Sequence, residues 1–395
     1  MKNKAVILGS NYYIGLSVIR CLGRHGIDTI AIDYSAEGAY GSKSKYCTEH
    51  HVAPHYKNDK EAFIAFLIEY AKKEPIKPVL FPCHDSYVEV VDAYLDQLKP
   101  YYLINQQEMG LWTNLMGKDT LYALAIEHGM PVPETIKTDE TNYKEKIAEK
   151  IGYPCIVKPV DSPAFVATFN RKIFLANDEK ELTSAIDKAN TAGLEVIVQR
   201  IIPGFDDHMH TYDAYLNQQS KVTHWLTCQK FRQYPINYGA SVYTGQKYVP
   251  ELHELGARFF EAVGYKGFGE IEFKKDAETG QFYMIEINVR TTNLNSLLDK
   301  VGLNFPYINY CEMIGTPLPP KAIEKDTKVV FWYAYEDFYA VRGYVKTGQL
   351  TWGQVFKSYF MRKAYAVWSW DDMAPGIELW GIIFKKFFRR FKRRD

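Results

Sequence analysis

GYKGFGEIEFKKDAETGQFYMIEINVR, residues 264–290, is the stretch on which the reading of this chain turns. Residues 268–274 and 282–289 are rich in Phe, Ile, Tyr and Val, and Asp276–Gly280 between them carries turn chemistry, so the pattern predicts a β-hairpin. Side chains at i and i+2 share a strand face. Glu286 and Asn288 therefore project together, with Ile287 pointing into the other layer, and Glu270 and Glu272 flank Ile271 in the same way. Carboxylates crowded on one face repel, and a hard cation relieves the repulsion. Magnesium held by one or two carboxylates and an amide, with phosphates completing its octahedron, suits such a face. Glu272, Glu286 and Asn288 are thus candidate metal ligands, and Arg290 continues the alternation within reach of a phosphoryl group. The plain alternative is a solvated hairpin whose acids face water.

Other segments weigh against that alternative. YPCIVKP, residues 153–159, is a short apolar strand carrying Lys158, and EVIVQRIIPG, residues 195–204, is a second strand ending at a turn. With EINVR following in that order, the chain resembles the ATP-grasp superfamily over about residues 1–310. The resemblance implies that Lys118 and Lys158 contact nucleotide phosphates, with Ser162 beside them. It implies that Gln199 and the backbone of Arg200 and Ile202 form the adenine hinge. Asp206, with Asp207 as its competitor, would take the ribose hydroxyls, and Glu272, Glu286 and Asn288 would bind magnesium, with manganese as the substitute. One departure stands out. Members commonly place a glycine- and serine-rich loop after the second lysine, whereas residues 161–174 read DSPAFVATFNRKIF, without glycine.

The resemblance implies an α/β protein of ATP-grasp architecture. An N-terminal open parallel α/β domain would span 1–112, and an ATP-grasp domain 113–320, with a small lid at roughly 125–200 and a larger antiparallel sheet. A helical C-terminal extension would span 321–395. Boundaries near Leu111–Lys118 and in the proline- and charge-rich Pro317–Lys328 fit this division. The first third agrees: Lys4–Leu8 reads as a buried strand, a helix to Leu22 follows, and Thr29–Asp33 is a second strand. Gly9 and Gly15 do not make GxGxxG, so a dinucleotide-dependent oxidoreductase is disfavoured. Ser10 and Asn11, and Asp85 in the set His84, Asp85, Ser86, sit where open α/β sheets bind ligands, and are candidate substrate contacts. His84 and Asp85 could equally cap a helix beginning near Ser86.

TCQKFRQYPINYGASVYT, residues 227–244, mixes Lys230 and Arg232 with aromatics. By the resemblance, Lys230, Arg232 and Arg290 are candidate catalytic cations, and a cationic strand face with inward aromatics is the alternative. VKPVDSPAF, VQRIIPGFDDHMHTYDAYLN and YKGFGEIEFKKD with YMIEINVR are similar to D-aspartate ligases and related carboxylate-amine ligases of bacterial cell-envelope synthesis. Such enzymes spend ATP to turn a carboxylate into an acyl phosphate, which an amine then attacks. Positioning and charge stabilisation suffice for that chemistry, and no nucleophile elbow is present in GSNYYIG. The expected partners are a small-molecule carboxylate and an amine acceptor; oligomeric state is not legible. A second reading is a membrane-recruited nucleotide-binding protein that keeps the fold and has lost catalysis.

Bulk properties fit an intracellular enzyme. The 395 residues accommodate two or three domains, and 47% hydrophobic residues fill sizeable cores. A net charge of +1 excludes a globally basic nucleic-acid binder. Six cysteines are scattered without CxxC spacing and read as reduced core residues. No signal peptide is expected before Lys4, and no apolar run reaches bilayer-spanning length.

The tail carries a second signal. From Trp380, Ile383, Phe384, Phe387, Phe388 and Phe391 recur at helical spacing, with Lys385, Lys386, Arg389, Arg390, Lys392, Arg393 and Arg394 between them. A basic amphipathic helix of this kind suits an anionic membrane surface, each cation contributing about 1 kcal/mol. The expected location is cytoplasmic, peripheral on the inner face of the cytoplasmic membrane.

Overall fold

The computed structural model describes residues 2–160 and 162–391, with backbone only at Ser162, Pro163 and 386–391. Four parallel strands open the chain: β1 (Ala5–Leu8), β2 (Thr29–Asp33), β3 (Cys47–Val52) and β4 (Val79–Pro82), in the order β3-β2-β1-β4. Every residue of β1 and β2 is buried. Val6 and Leu8 pack into one apolar cluster and Ala5 and Ile7 into another, so both sheet faces are covered and the strands read as unbroken apolar runs. Behind β1 the chain turns through Gly9 into the helix Tyr13–Gly23. Gly15 approaches so closely that a Cβ there would lie 2.1 Å from the Gly9 carbonyl oxygen. Gly15 is required by that approach, and Gly9 by its positive φ of 99°.

The segment expected as a lid forms a separate four-stranded sheet: β5 (Thr135–Lys137), β6 (Cys155–Pro159), β7 (Phe174–Ala176) and β8 (Val196–Arg200), antiparallel in the order β5-β8-β6-β7. It has its own core, in which Ile147, Phe165, Leu182 and Ile186 come from three covering helices. One of these, Ser162–Phe169, occupies the segment where the resemblance suggested a glycine-rich loop. Phe165 meets Phe169 and Phe174 at ring-centroid distances of 4.8 and 5.0 Å, so the aromatic content of this segment packs a helix rather than an open loop.

The large sheet holds β9 (Met209–Leu216), β10 (Val222–Tyr234), β11 (Ala240–Gln246), β12 (Gly267–Lys275), β13 (Phe282–Asn288), β14 (Lys321–Ala322), β15 (Val329–Trp332) and β16 (Arg362–Tyr365). Its order is β13-β12-β9-β10-β11-β15-β16, with β14 beside β10. The segment 227–244 thus forms the β10–β11 hairpin. The helical C-terminal end is present as Ala374–Phe391, but the extension is not only helical: β14, β15 and β16 add to the central sheet. Two to four residues each, these strands are too short to show a period. Residues 367–372 are also tied to the first domain. Arg20 makes a buried ion pair with Asp372 at 2.9 Å and donates to the Val367 carbonyl at 2.6 Å.

Candidate active site

The predicted hairpin forms β12 and β13, and its register decides which acids meet. Glu272 lies directly opposite Glu286, and Glu270 opposite Asn288. On the other flank β9 sets Asp213 against Glu270 and Thr211 against Glu272. Directly opposed residues share a sheet face, so Asp213, Glu270, Glu272, Glu286 and Asn288 form one polar field. Asn288 Nδ2 donates to Glu270 Oε1 at 2.8 Å, and Thr211 Oγ1 donates to Asp213 Oδ2 at 2.6 Å. Lys230, buried on β10, reaches Glu272 Oε2 at 2.5 Å, while Glu286 is exposed.

One lysine does not balance this field. Burial, aided by Asp213, pushes the Glu270 carboxyl up to about 8. Burial does the same to Glu272, to about 7, where the lysine's pull is offset by Glu286 and Glu270. Buried Asp213 also rises to about 7. Burial lowers the Lys230 ammonium, but Glu272, Glu270 and Glu286 outweigh it and hold it above its ordinary value. Glu270 and Asp213, both buried, also meet each other side chain to side chain, the protonated Glu270 carboxyl donating to Asp213. Among the described residues no three His, Cys, Asp or Glu side chains converge as a metal-binding group. The candidate set is instead two carboxylates and one amide, with Lys230 now on Glu272.

From the lid, Lys158 donates to Gln199 Oε1 at 2.5 Å, and Gln199 Nε2 donates to Thr135 Oγ1 at 2.9 Å. Burial pushes the Lys158 ammonium down to about 8 against the opposing field of Glu286, so lid and hairpin face one another. Lys118 Nζ donates to the Pro159 carbonyl at 3.0 Å, which places both lysines at the end of β6. Tyr122, four residues on, donates to the Ile285 carbonyl at 2.9 Å and links this helix to β13. In the segment expected as the adenine hinge, the Arg200 N–H is taken by the Glu134 carbonyl at 2.9 Å, and Ile202 is buried just past the strand. The side chain of Ser162 lies outside the described residues.

Other candidates are committed to partners. Asp206 is buried and accepts from the Tyr344 hydroxyl, from Gln233 Nε2 at 2.8 Å and from the Asn237 N–H at 2.8 Å; the exposed acid here is Asp207, paired with His208. Arg232 is buried against Asp337, with Nε–Oδ1 at 2.6 Å and Nη2–Oδ2 at 2.8 Å, and its guanidinium stacks 3.9 Å above the Tyr243 ring. Ser10 gives both N–H and hydroxyl to Asp33, at 2.7 and 2.5 Å. Asn11 follows at the same strand end, half-buried. Arg290 and Asp85 meet each other, Nε–Oδ1 at 2.6 Å, with His84 accepting from the Ser86 N–H as helix cap. Burial lowers the Arg290 guanidinium, but Asp85, Glu270 and Glu286 hold it above its usual value.

Asp213, Tyr122 and Asp337 were not legible as site residues. Asp213 had a signal in the alternation of MHTYDAYL, whereas the partners of Tyr122 and Asp337 lie 163 and 105 residues away. A surface depression of about 1130 Å³ on the lid helix Glu179–Thr191 shares none of the site side chains.

Residues 125–293 match the family described as D-ala D-ala ligase C-terminus. A D-aspartate ligase of Enterococcus faecium (strain Aus0004) is 24% identical over 267 residues, covering 64% of this chain and 63% of its own length. A D-alanine–D-alanine ligase of Acinetobacter baumannii (strain ATCC 17978) is 28% identical over 214 residues, covering 50% of this chain and 66% of its own length. The chain thus spans a little under two thirds of either relative. Among solved structures, the biotin carboxylase domain of Hydrogenobacter thermophilus 2-oxoglutarate carboxylase, in complex with MgADP, ADP and bicarbonate, superposes with a TM-score of 0.65 at 16% identity. It covers 84% of this chain and 74% of that one. Residues 125–293, which hold the small sheet and the hairpin, are thus the part of the chain similar to the D-ala D-ala ligase C-terminus family, and the solved structure shares the fold.

Proposed function

We propose that this protein is an ATP-dependent carboxylate-amine ligase that phosphorylates a carboxylate, that of a D-aspartate-like amino acid, and joins the resulting acyl group to an amine in cell-envelope precursor synthesis. The observation that carries the reading is the acidic field of β9, β12 and β13, in which Glu272 and Glu286 stand directly opposite one another with Lys230 on Glu272. A divalent cation fits that field, and Glu272, Glu286 and Asn288 are the side chains that would hold magnesium. Bound there, magnesium would neutralise charge on the phosphates of ATP.

The chain's own residues supply the rest. Lys158 and Lys118, at the end of β6, offer ammonium groups to the phosphates, and Gln199 fixes Lys158 in place. Lys230 is held charged beside the metal candidates, paired with Glu272 Oε2 at 2.5 Å, and would add positive charge next to the phosphates. Arg290, steered by Asp85, presents its guanidinium where charge develops on the transferred phosphoryl group. The neutral amine then attacks the acyl carbon, a C–N bond forms, the bond from that carbon to the phosphate oxygen breaks, and phosphate leaves with the proton the amine sheds. Support for the amino-acid substrate is the likeness to D-aspartate and D-alanine–D-alanine ligases. ADP and phosphate release only with acid and amine together, and a hydroxylamine-trapped acyl phosphate, test the reading; ATP binding without turnover for any pair would favour the catalytically lost alternative.

We also infer a peripheral membrane location, on the inner face of the cytoplasmic membrane. On the helix Ala374–Phe391, Leu379 and Ile382 pack against the body, while Ile377, Trp380 and Phe384 are 61%, 52% and 57% exposed at spacings of three and four. An apolar stripe left outside a packed helix, followed by the basic run from Lys385, suits insertion among anionic headgroups. Among the described residues no helix is long and apolar enough to cross a membrane.

A further inference from the structure

Strand β16 is the outer edge of the large sheet, and the chain enters and leaves it through helices on opposite faces. On one face Phe331 and its register partner Ala364 pack in the same apolar cluster as Leu379 and Ile382 of the helix Ala374–Phe391. On the other, the Trp332 ring lies 5.6 Å from that of Tyr359 and 5.9 Å from that of Tyr365. There the Ser358 carbonyl accepts from the Tyr243 hydroxyl at 2.5 Å, and the Ser358 hydroxyl accepts from Arg232 Nη1 at 3.1 Å. Those contacts fix the end of the helix Trp352–Ser358, and a capping box between Thr351 and Gln354 closes its start. Val355 is the buried residue of this helix. Trp352 and Phe356, four positions apart and so on one side of it, are each 64% exposed. Phe360, 75% exposed, sets its ring 5.1 Å from that of Phe356 and prolongs the stripe.

The charge around this stripe has one sign. Residues 338–370 include Arg342, Lys346, Lys357, Arg362 and Lys363 and no acid, and Lys357 and Arg362 are exposed. Residues 374–394 hold one acid, Glu378, against seven cations. Trp370 and Met373, in the segment between the two, are exposed as well. A surface made for water intersperses both signs. Exposed aromatic rings flanked by cations without acids instead complement an anionic lipid surface, the rings entering the acyl boundary and the cations meeting phosphate. We propose that the protein docks edge-on, with β16 towards the bilayer and Trp352, Phe356 and Phe360 inserting as a second contact beside the tail helix. Two weak contacts held on one rigid body reinforce each other, whereas either alone binds marginally. The proposal rests on the membrane location inferred above and adds an orientation to it. Strand β13, with Glu286 and Asn288, is the opposite edge of the sheet, six strand spacings or about 29 Å away, so the acidic field is held clear of anionic headgroups.

The test titrates the full chain with vesicles of phosphatidylcholine, alone and mixed in equal parts with phosphatidylglycerol. Trp352→Ser, Phe356→Ser and Phe360→Ser combined should weaken binding to the mixed vesicles at least about tenfold with the Tm unchanged, since none of the three is buried. Brominated phosphatidylcholine supplies a local readout: with all protein bound, it should quench less tryptophan emission in Trp352→Phe than in the parent. Vesicle binding by the triple variant equal to the parent's, or equal quenched emission in Trp352→Phe, overturns the second contact and leaves the tail contact intact. A parent that dimerises where the triple variant does not, with equal vesicle binding, also overturns it and gives the stripe to a second copy of this chain. A parent that binds no mixed vesicles overturns the tail location and this contact together.

Discussion

Arg290 and Asp85 form a forked ion pair, Nε–Oδ1 2.6 Å and Nη2–Oδ2 3.1 Å, that joins the end of β13 to the first turn of the helix Asp85–Ala93 across 205 residues of sequence. A residue expected to touch the reacting phosphoryl group is thereby oriented by one expected to touch substrate. Asp85→Asn leaves the guanidinium in place without its steering charge. The expected outcome is a fall in kcat of about 100-fold with the KM for ATP little changed. Because the Arg290 side chain is only 12% exposed, loss of the Asp85 charge should also lower stability, by about 1–3 kcal/mol. Steady-state kinetics together with thermal unfolding check both.

Glu286→Gln removes the exposed carboxylate opposite Glu272 and should lower turnover by at least about 100-fold while the fold is kept, since no buried contact is lost. ADP release and far-UV circular dichroism measure the two parts. Undiminished activity would exclude Glu286 from the metal set.

The acidic field makes stability depend on pH with a definite sign. Glu270, Glu272 and Asp213 are raised to about 8, 7 and 7 in the folded protein, so between the ordinary carboxyl range and those values the folded state binds more protons than the unfolded one. Their contribution is full at low pH and is lost as pH rises towards 8. Without divalent cation the Tm should therefore fall from pH 5 to pH 8, and millimolar magnesium should flatten the fall. Scanning calorimetry with and without the metal decides; a Tm that rises over this interval in both conditions would contradict it.

Asp337→Ala leaves Arg232 buried without its partner. Breaking a buried pair from one side costs about 3 kcal/mol or more, and Trp332, which donates to the same carboxylate at 2.8 Å, loses its bond too. A denaturant midpoint shift reports this. Truncation after residue 328 removes β15 and β16 from the central sheet and should leave an insoluble product, whereas truncation after residue 373 should remain folded.

Replacing Ile377, Trp380 and Phe384 together by glutamate should abolish sedimentation with anionic vesicles and leave ligase turnover within about twofold, because these side chains face away from the body. Vesicle binding equal to the parent would place the membrane contact elsewhere or remove it.

The hairpin, the first βαβ unit and the strand carrying Lys158 were legible because alternation and turn chemistry act over a few residues, and the observed strands begin and end within two residues of the expected ones. The acids on one face of β12 and β13 followed from the same rule. What each polar group would be committed to was not legible. Asp206 and Arg232 look like site residues by position along the chain, yet Tyr344 and Asp337, contributed by the C-terminal extension, take them.

The sequence by itself determined that an acidic hairpin stands behind a lysine-bearing strand, since a period of two residues assigns faces without reference to any other part of the chain. Only the tertiary structure decided that Asp213 and Lys230 join that face, that Asp85 meets Arg290, and that residues beyond 320 add β15 and β16 to the central sheet. The physical reason is separation. Those pairings are fixed by strand order and by the burial of charges that find partners up to 205 residues away, and no local pattern encodes a partner at that distance.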